Sequence, residues 1–247
     1  MNQAPSYCVL VPVYNNAGTI VDVLKRALAL TEQLIVICDG CTDGTPERIA
    51  EAALPVQVLS YPKNKGKGAA LRLGFSYARE RGYAYAITVD ADGQHFPEDI
   101  PLLLAAIEAH PGALAVGSRR LDAENMPSGN TFANRFSNFQ FTVNTGVRLP
   151  DTQTGFRAWP LAALPPLWLI PSRYEAELAL LDLCAWRGVP LIPVPVRVHY
   201  PPKGERISHF RPFADFSRIF ILNCILFVTS LVYGWPRTLL RKIFCKK

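Results

Sequence analysis

The order of apolar runs in this 247-residue chain predicts an α/β protein: a mostly parallel sheet flanked by helices, then a C-terminal membrane-associated helix. Three observations predict it. In the N-terminal half, short continuous apolar runs alternate with stretches of helical periodicity, the pattern of strands buried on both faces. Hydrophobic residues make up 49% of the chain, enough for a large core. Near the C-terminus, Ile219 to Trp235 contains no charged residue.

The elements follow in order. YCVLVPVY, starting at Tyr7, has the length and apolar continuity of a strand. Ile20, Val21, Leu24, Ala27 and Leu28 repeat at helical spacing. LIVIC and PVQVL read as the second and third strands, and Ala70, Leu71, Gly74, Phe75 and Ala78 mark one face of a helix. YAYAITVD is a fourth strand and ALAVGS a fifth. Residues 119–172 carry Pro and Gly at many turns and read as irregular. Glu175 to Trp186 reads as a helix. In VPLIPVPVRVHY, Pro190, Pro193 and Pro195 mark an edge strand. The expected division is a catalytic domain over 1–210 and a basic, hydrophobic tail over 211–247.

Cysteine usage and charge narrow the setting. Six scattered cysteines and an opening MNQAPSYC without a secretory signal predict a reducing compartment, on the cytoplasmic side of a membrane. Residues 1–200 are nearly charge-balanced, so the net charge of +6 sits in the tail. There Lys203, Arg206, Arg211, Arg218, Arg237, Arg241, Lys242, Lys246 and Lys247 face only Glu205 and Asp215. Such a tail could bind nucleic acid or anionic lipid. The apolar run decides for the membrane and against nucleic acid. As a helix it spans ~26 Å, the short limit for crossing a bilayer. Tyr233 and Trp235 stand where an interfacial aromatic belt would be. A buried core helix is the competing reading. The basic loop Lys203, Arg206 and His209 would lie near headgroups if the tail is in the membrane, and is otherwise a solvated loop.

In parallel sheets ligands sit beyond the carboxyl ends of the strands. The polar clusters fall there: NNAG after the first strand, DGCTDG after the second and ADGQH after the fourth. In TVDADGQH, Asp90 and Asp92 close an apolar strand with Gln94 beyond, a hard oxygen set suited to Mg²⁺ or Mn²⁺ with phosphate oxygens completing the shell. Gly93 comes too early for an EF-hand loop, and Pro97 follows. Cys38 and Cys41 form a Cys-x-x-Cys pair. The helix begins too late after Cys41 for a thioredoxin-like dithiol, and no second pair exists for zinc. Asp39, at a strand's end, is read as a hydrogen-bond acceptor for a nucleobase or ribose. NKGKGAALRLG lacks the third glycine of the dinucleotide fingerprint, yet Lys67 and the helix start behind it could hold an anion.

Taken together, VLVPVYNNAGTI, DGCTDGT, NKGKGAA, DADGQH, GSR, TQTGFRAW and YEAELALLDLCAWRGVPLIPVPVRV resemble the family 2 glycosyltransferases. Within them the likeness is to the dolichyl- and polyprenyl-phosphate sugar synthases. It runs over about residues 7–220. The resemblance implies the nucleotide-diphosphosugar transferase (A-type glycosyltransferase) fold. It implies that Pro12, Tyr14 and Asp39 hold the nucleoside, with Asp90 also on the nucleotide. It implies that Asp90, Asp92 and Gln94 bind the divalent metal, and that Arg119 and Arg135 hold donor or acceptor phosphates. Arg157 lies in a further motif near the site, and Glu177 matches a recurrent acid on the helix behind it. One departure is plain: the family reads two acids before the glycine of its second loop, and here Cys38 and Asp39 stand there. Cys38 and Cys41 are then two separate replacements, not a redox motif.

The expected reaction is metal-dependent, inverting transfer from a GDP- or UDP-sugar to a polyprenyl phosphate at the membrane. A phosphate monoester is largely ionised at neutral pH and needs arginines, not a base; Arg119, Arg135 and Arg157 are the candidates. A glycolipid hydroxyl is the alternative acceptor. It would need a base, with Asp151 first and Glu177 second. His95 follows the metal motif, and a surface or helix-start role is the equal alternative. A nucleotidyltransferase and a non-catalytic nucleotide-binding membrane module are the readings from other classes.

Overall fold

The computed structural model describes residues 5–119, 128–199 and 212–244. Seven strands form one sheet in the order β3-β2-β1-β4-β6-β5-β7. β1 (Tyr7–Val13), β2 (Leu34–Asp39), β3 (Gln57–Tyr61) and β4 (Tyr85–Thr88) pair in parallel. β6 (Arg157–Pro160) runs antiparallel to both β4 and β5 (Leu114–Ser118). β7 (Leu191–Pro195) pairs in parallel with β5 at the sheet edge, where its prolines need not donate to a further strand.

The central strands are buried on both faces, which is why the sequence shows continuous apolar runs there. In β1, Cys8 and Leu10 point into one core and Val9, Val11 and Val13 into the other. The first core is covered by α3 (Lys67–Glu80), α5 (Ser128–Thr145) and α6 (Ala176–Arg187), through Phe75, Phe141 and Leu180. The second is covered by α1 (Ile20–Leu28) and α4 (Ile100–Ala109), through Ile20, Leu24 and Leu103. α2 (Thr45–Glu51) follows β2 and adds Ile49 to that side.

The segment expected to be irregular contains two regular elements. α5 is hidden in the sequence because SGNTFANRFSNFQFTVNT is half polar and its pattern is inverted: Phe136, Phe139 and Val143 do fall at helical spacing, but Phe136 and Phe139 are exposed. Its polar residues Asn134, Ser137, Asn144 and Thr145 are buried against protein rather than water. β6 is hidden because four residues containing a buried arginine and a terminal proline do not read as an apolar run.

The C-terminal segment continues as α7 (Pro212–Thr229), a π turn (Ser230–Gly234) and α8 (Trp235–Phe244). Ser217–Phe244 is a single apolar helix of 28 residues, with 22% of its apolar window buried, so it is not a core helix. The basic loop Lys203, Arg206 and His209 lies outside the described residues.

One buried group shapes stability. Asp182 on α6 is fully buried, and neither carboxylate oxygen has a hydrogen-bond partner among the described residues. Burial pushes its carboxyl up to about 8, offset only in part by the neighbouring Asn144 amide. A folded-state value above the unfolded one gives stability that is complete below the unfolded value and lost as pH rises through about 8. Asp182→Asn should therefore flatten the stability profile and raise the Tm at pH 8 by several degrees relative to wild type, measured by thermal melts across pH.

Candidate active site

The expected site residues converge at the carboxyl ends of β1, β2, β4 and β5. After β4, Thr88 donates its hydroxyl to the Gly155 carbonyl at 2.6 Å, and the chain turns outward through Asp90, Ala91 and Asp92. Gly155 abuts the Asp90 carboxylate so closely that any β-carbon there would collide with it. This explains the glycine in TQTGFR. Asp92 Oδ1 accepts the Gln94 amide at 3.0 Å, which closes the turn.

At the centre lies Lys67, the first residue of α3. Its ammonium sits 2.5 Å from Asp90 Oδ1 and 2.9 Å from Glu177 Oε2. Burial opposes the lysine's charge, but the two carboxylates raise its pKa well above the ordinary range. Burial likewise opposes the charge of Asp90, and the Lys67 ammonium outweighs it, with Arg157 adding to the effect, and holds the carboxyl down. Asp92 is less well supported. Burial, and then the neighbouring Asp90 charge, push it up to about 6. Glu177 Oε1 is buried without a partner among the described residues.

Asp39 is 2% exposed and turned inward. Its two carboxylate oxygens accept the amides of Lys65 at 2.8 Å and Gly66 at 2.7 Å, which fixes the loop that carries Lys67. What it offers a nucleotide is thus the shape of that loop more than an open carboxylate. Pro12 is buried in β1 opposite Ile37, and Tyr14 is half-buried just beyond the strand. The loops after β1 and β2 are latched by Asp43, which nothing in its local sequence singles out from an ordinary turn acid. It accepts the Ala17 amide at 3.0 Å and the Thr45 amide at 3.1 Å. Cys38 is buried, and the Cys41 thiol donates to the Val13 carbonyl at 3.5 Å.

Two expectations are corrected, and one open alternative is decided. Asp151, the first candidate base, is fully buried and grips Arg119 with both oxygens, Nε at 2.6 Å and Nη2 at 3.0 Å. The Asn134 amide bridges the same pair. Burial works against the Asp151 charge, but the Arg119 guanidinium holds its carboxyl below the usual range, so it is a poor proton acceptor. Arg157, expected to hold a phosphate, is fully buried. It donates to the carbonyls of Glu177 and Thr152, each at 2.8 Å, and stacks against Trp159. Its charge works from beneath, on Glu177, Asp151 and Asp90. His95, for which the sequence left a place by the metal motif and a surface or helix-start role open, is 5% exposed with Nδ1 3.8 Å from Asp90 Oδ2 and Nε2 3.3 Å from the Thr154 hydroxyl. Burial pulls it down to about 4, so it is neutral at physiological pH. Its place in the sequence, just past the paired acids, is the signal that could have found it.

Arg135 is exposed on α5, next to Asn134. Lys67, Asp90, Asp92, His95 and Glu177 thus form one group and Arg119 with Asp151 a second; Arg157 underlies both.

The residues fit a divalent cation. Asp90 and Asp92 are like charges at a strand end, and the Asp92 carboxyl is raised by burial first and then by the Asp90 charge; a cation would relieve both. No group of three or more His, Cys, Asp or Glu suited to a metal occurs among the described residues, so most of the shell would come from other oxygen donors.

Comparison with known proteins gives a consistent picture. The family model described as glycosyl transferase family 2 matches residues 8–158. The polyprenol monophosphomannose synthase of Mycolicibacterium smegmatis is 31% identical over 191 residues, 73% of this chain and 71% of that protein. The undecaprenyl-phosphate mannosyltransferase of Micrococcus luteus is 32% identical over 159 residues, 61% of this chain and 64% of that protein. Among solved structures, a glucosyl-3-phosphoglycerate synthase from Mycobacterium tuberculosis, in complex with Mn²⁺, UDP-glucose and phosphoglyceric acid, superposes with a TM-score of 0.64. The match covers 92% of this chain and 79% of that one at 19% identity, a likeness of fold.

Proposed function

From the premise that the chain belongs to glycosyl transferase family 2, we propose that it moves a sugar from a nucleotide-diphosphosugar to a polyprenyl phosphate at a membrane surface. The observation that carries the acceptor is the state of Asp151. A hydroxyl acceptor must lose a proton during attack, and the first acid placed to take it is locked on Arg119. A phosphate monoester is already ionised and needs cationic groups to place it. The two relatives described above are named for polyprenol and undecaprenyl phosphate, which supports the same class.

The chemistry is a single displacement. An acceptor phosphate oxygen forms a bond to the anomeric carbon from the face opposite the leaving group. The bond from that carbon to the nucleoside diphosphate breaks with its electron pair, and the configuration inverts. Asp90, Asp92 and Gln94 would hold Mg²⁺ or Mn²⁺, which when bound neutralises charge gathering on the leaving diphosphate. Lys67 holds Asp90 and Glu177 in place, and the amide cradle on Asp39 fixes the loop before it. Arg119, set by Asp151, and Arg135 are assigned to phosphate oxygens. The buried, neutral His95 presents an uncharged ring to Asp90. The catalytic domain is placed on the cytoplasmic side.

The test is transfer by the full chain in detergent. It uses a short polyprenyl phosphate, Mg²⁺ or Mn²⁺, and a panel of UDP- and GDP-sugars, with the lipid product weighed by mass spectrometry. A hexosyl-phospholipid from one donor is the expected result. Product only on a glycolipid hydroxyl would move the acceptor and bring Glu177 forward as the base. Donor binding without turnover would favour a binding module.

A further inference from the structure

The C-terminal helix is docked along one side. Leu226, Ser230, Gly234 and Thr238, four apart, are its buried face. They lie on α5 and α6: Trp235 Nε1 donates to the Val143 carbonyl at 3.1 Å, and the Tyr233 ring stands 6.2 Å from the Trp186 ring. Gly234 is required there, because a β-carbon would collide with the Trp186 indole. Crossing a bilayer takes ~20 apolar residues, which Ser217–Phe244 has by length and composition. Docked as it is, a spanning helix would draw the buried polar Asn144 of α5 and the charged Arg187 of α6 into the bilayer with it. Its exposed surface carries large apolar side chains, Phe220 62%, Val232 73%, Ile243 67% and Phe244 77% exposed, together with the exposed cations Arg218, Arg237, Arg241 and Lys242. Exposed apolar side chains beside basic ones suit the plane of the membrane interface.

Beside it lies a groove of about 520 Å³, lined by Arg187, Arg237, Arg241, Val232, Leu240 and Phe244, with Tyr233 and Pro236 completing it. None of the lining side chains is acidic. Arg187 closes α6, Arg241 lies over Gly188 just beyond it, and Arg237 stacks on Tyr233 at 5.6 Å. All three arginines are exposed. The candidate active site begins at the other end of α6, with Glu177, so this groove is separate from it.

We propose that this groove binds the headgroup of an anionic phospholipid: the lipid phosphate on Arg187, Arg237 and Arg241, its acyl chains along Val232, Leu240 and Phe244, seating the helix in the plane of the membrane. Charge complementarity selects this occupant, since three guanidinium groups suit phosphate oxygens and the apolar strip suits acyl chains. The proposal rests on the membrane siting in the proposed function but not on its donor or acceptor.

The experiment is co-sedimentation of the full chain with two kinds of vesicle. One is phosphatidylcholine alone; the other is two parts phosphatidylcholine to one part phosphatidylglycerol. Wild type should partition at least ~tenfold better onto the anionic vesicles. The variant Arg187→Gln/Arg237→Gln/Arg241→Gln should fall to the neutral-vesicle value, with its circular dichroism and melting temperature unchanged. Arg218→Gln/Lys246→Gln/Lys247→Gln, which removes equal charge from other positions of the tail, should keep most of the preference. Salt at ~1 M should abolish the preference, whereas a spanning helix would be insensitive. Equal loss in both triple variants would overturn the groove as the site. A dimer in solution that persists with vesicles present would overturn the lipid as its occupant. No binding to either vesicle would overturn the membrane siting itself, while the transfer assay in detergent would still stand.

Discussion

Asp92→Asn should lower transfer by on the order of a thousandfold while making the protein more stable above pH 6. The two effects have one cause. Burial and the Asp90 charge push the Asp92 carboxyl up to about 6. A folded-state value raised above the unfolded one gives stability that is complete below the unfolded value and lost as pH rises through about 6. At pH 8 the ionised pair is therefore a strain that the amide removes, and the Tm should rise by a few degrees. The same substitution deletes one of the oxygen donors expected to hold the cation, so Mn²⁺ binding in the presence of the donor's nucleoside diphosphate should weaken in parallel. The next residue, Gly93, has no side chain with which to compensate. A variant that loses both activity and stability would instead make Asp92 a turn residue.

Lys67→Met should cost about 3 kcal/mol of stability and most of the activity. Lys67, Asp90 and Glu177 have side chains only 17%, 23% and 12% exposed, so removing the ammonium strands two carboxylates away from water. By the usual scaling that is a drop in Tm of about 6–12 °C for a chain of this size. The contribution of Asp90 to the pH dependence should change sign as well. In the wild type the depressed Asp90 carboxyl gives stability that is present above the unfolded value and lost as pH falls. In the variant, burial is no longer outweighed by the lysine. The carboxyl rises, and stability falls as pH increases. Melts of both proteins from pH 3 to pH 8 would show it as a stability gap between wild type and variant that widens as pH rises. The double variant Lys67→Met/Asp90→Asn should recover part of the loss, because one of the two stranded charges is gone. Additive losses would deny the coupling that the 2.5 Å contact asserts.

Both predictions turn on charges held just short of solvent. Lys67 is shared by two carboxylates from distant parts of the chain, and Arg157 supports the same group from below without reaching the surface. The buried arginine thus stabilises the site's acids rather than touching a ligand, and its removal would be felt through Glu177 and Asp90.

The sequence by itself determined the strands β1 to β5, the helices α1, α3 and α6 and the edge position of β7, because a strand buried on both faces must be continuously apolar and proline tolerates only an edge; α4 was not read from it. It also pointed to the place of the candidate site, since polar loops at the ends of parallel strands are forced to one side of the sheet. Asp90 and Asp92 were legible for that reason, as was the helix at the C-terminus. Only the tertiary structure decided α5 and β6, whose polar residues are satisfied by distant partners such as Asn138 with Thr152 and Arg157 with Glu177. It alone decided that Asp151 belongs to Arg119, that Asp39 holds its own loop, and that His95 is buried against Asp90. The same holds for the docking of the C-terminal helix on Trp186. Local sequence carries periodicity and turn preference. Which charge finds which partner depends on side chains brought together from far along the chain, and burial then sets how strongly each pair is held.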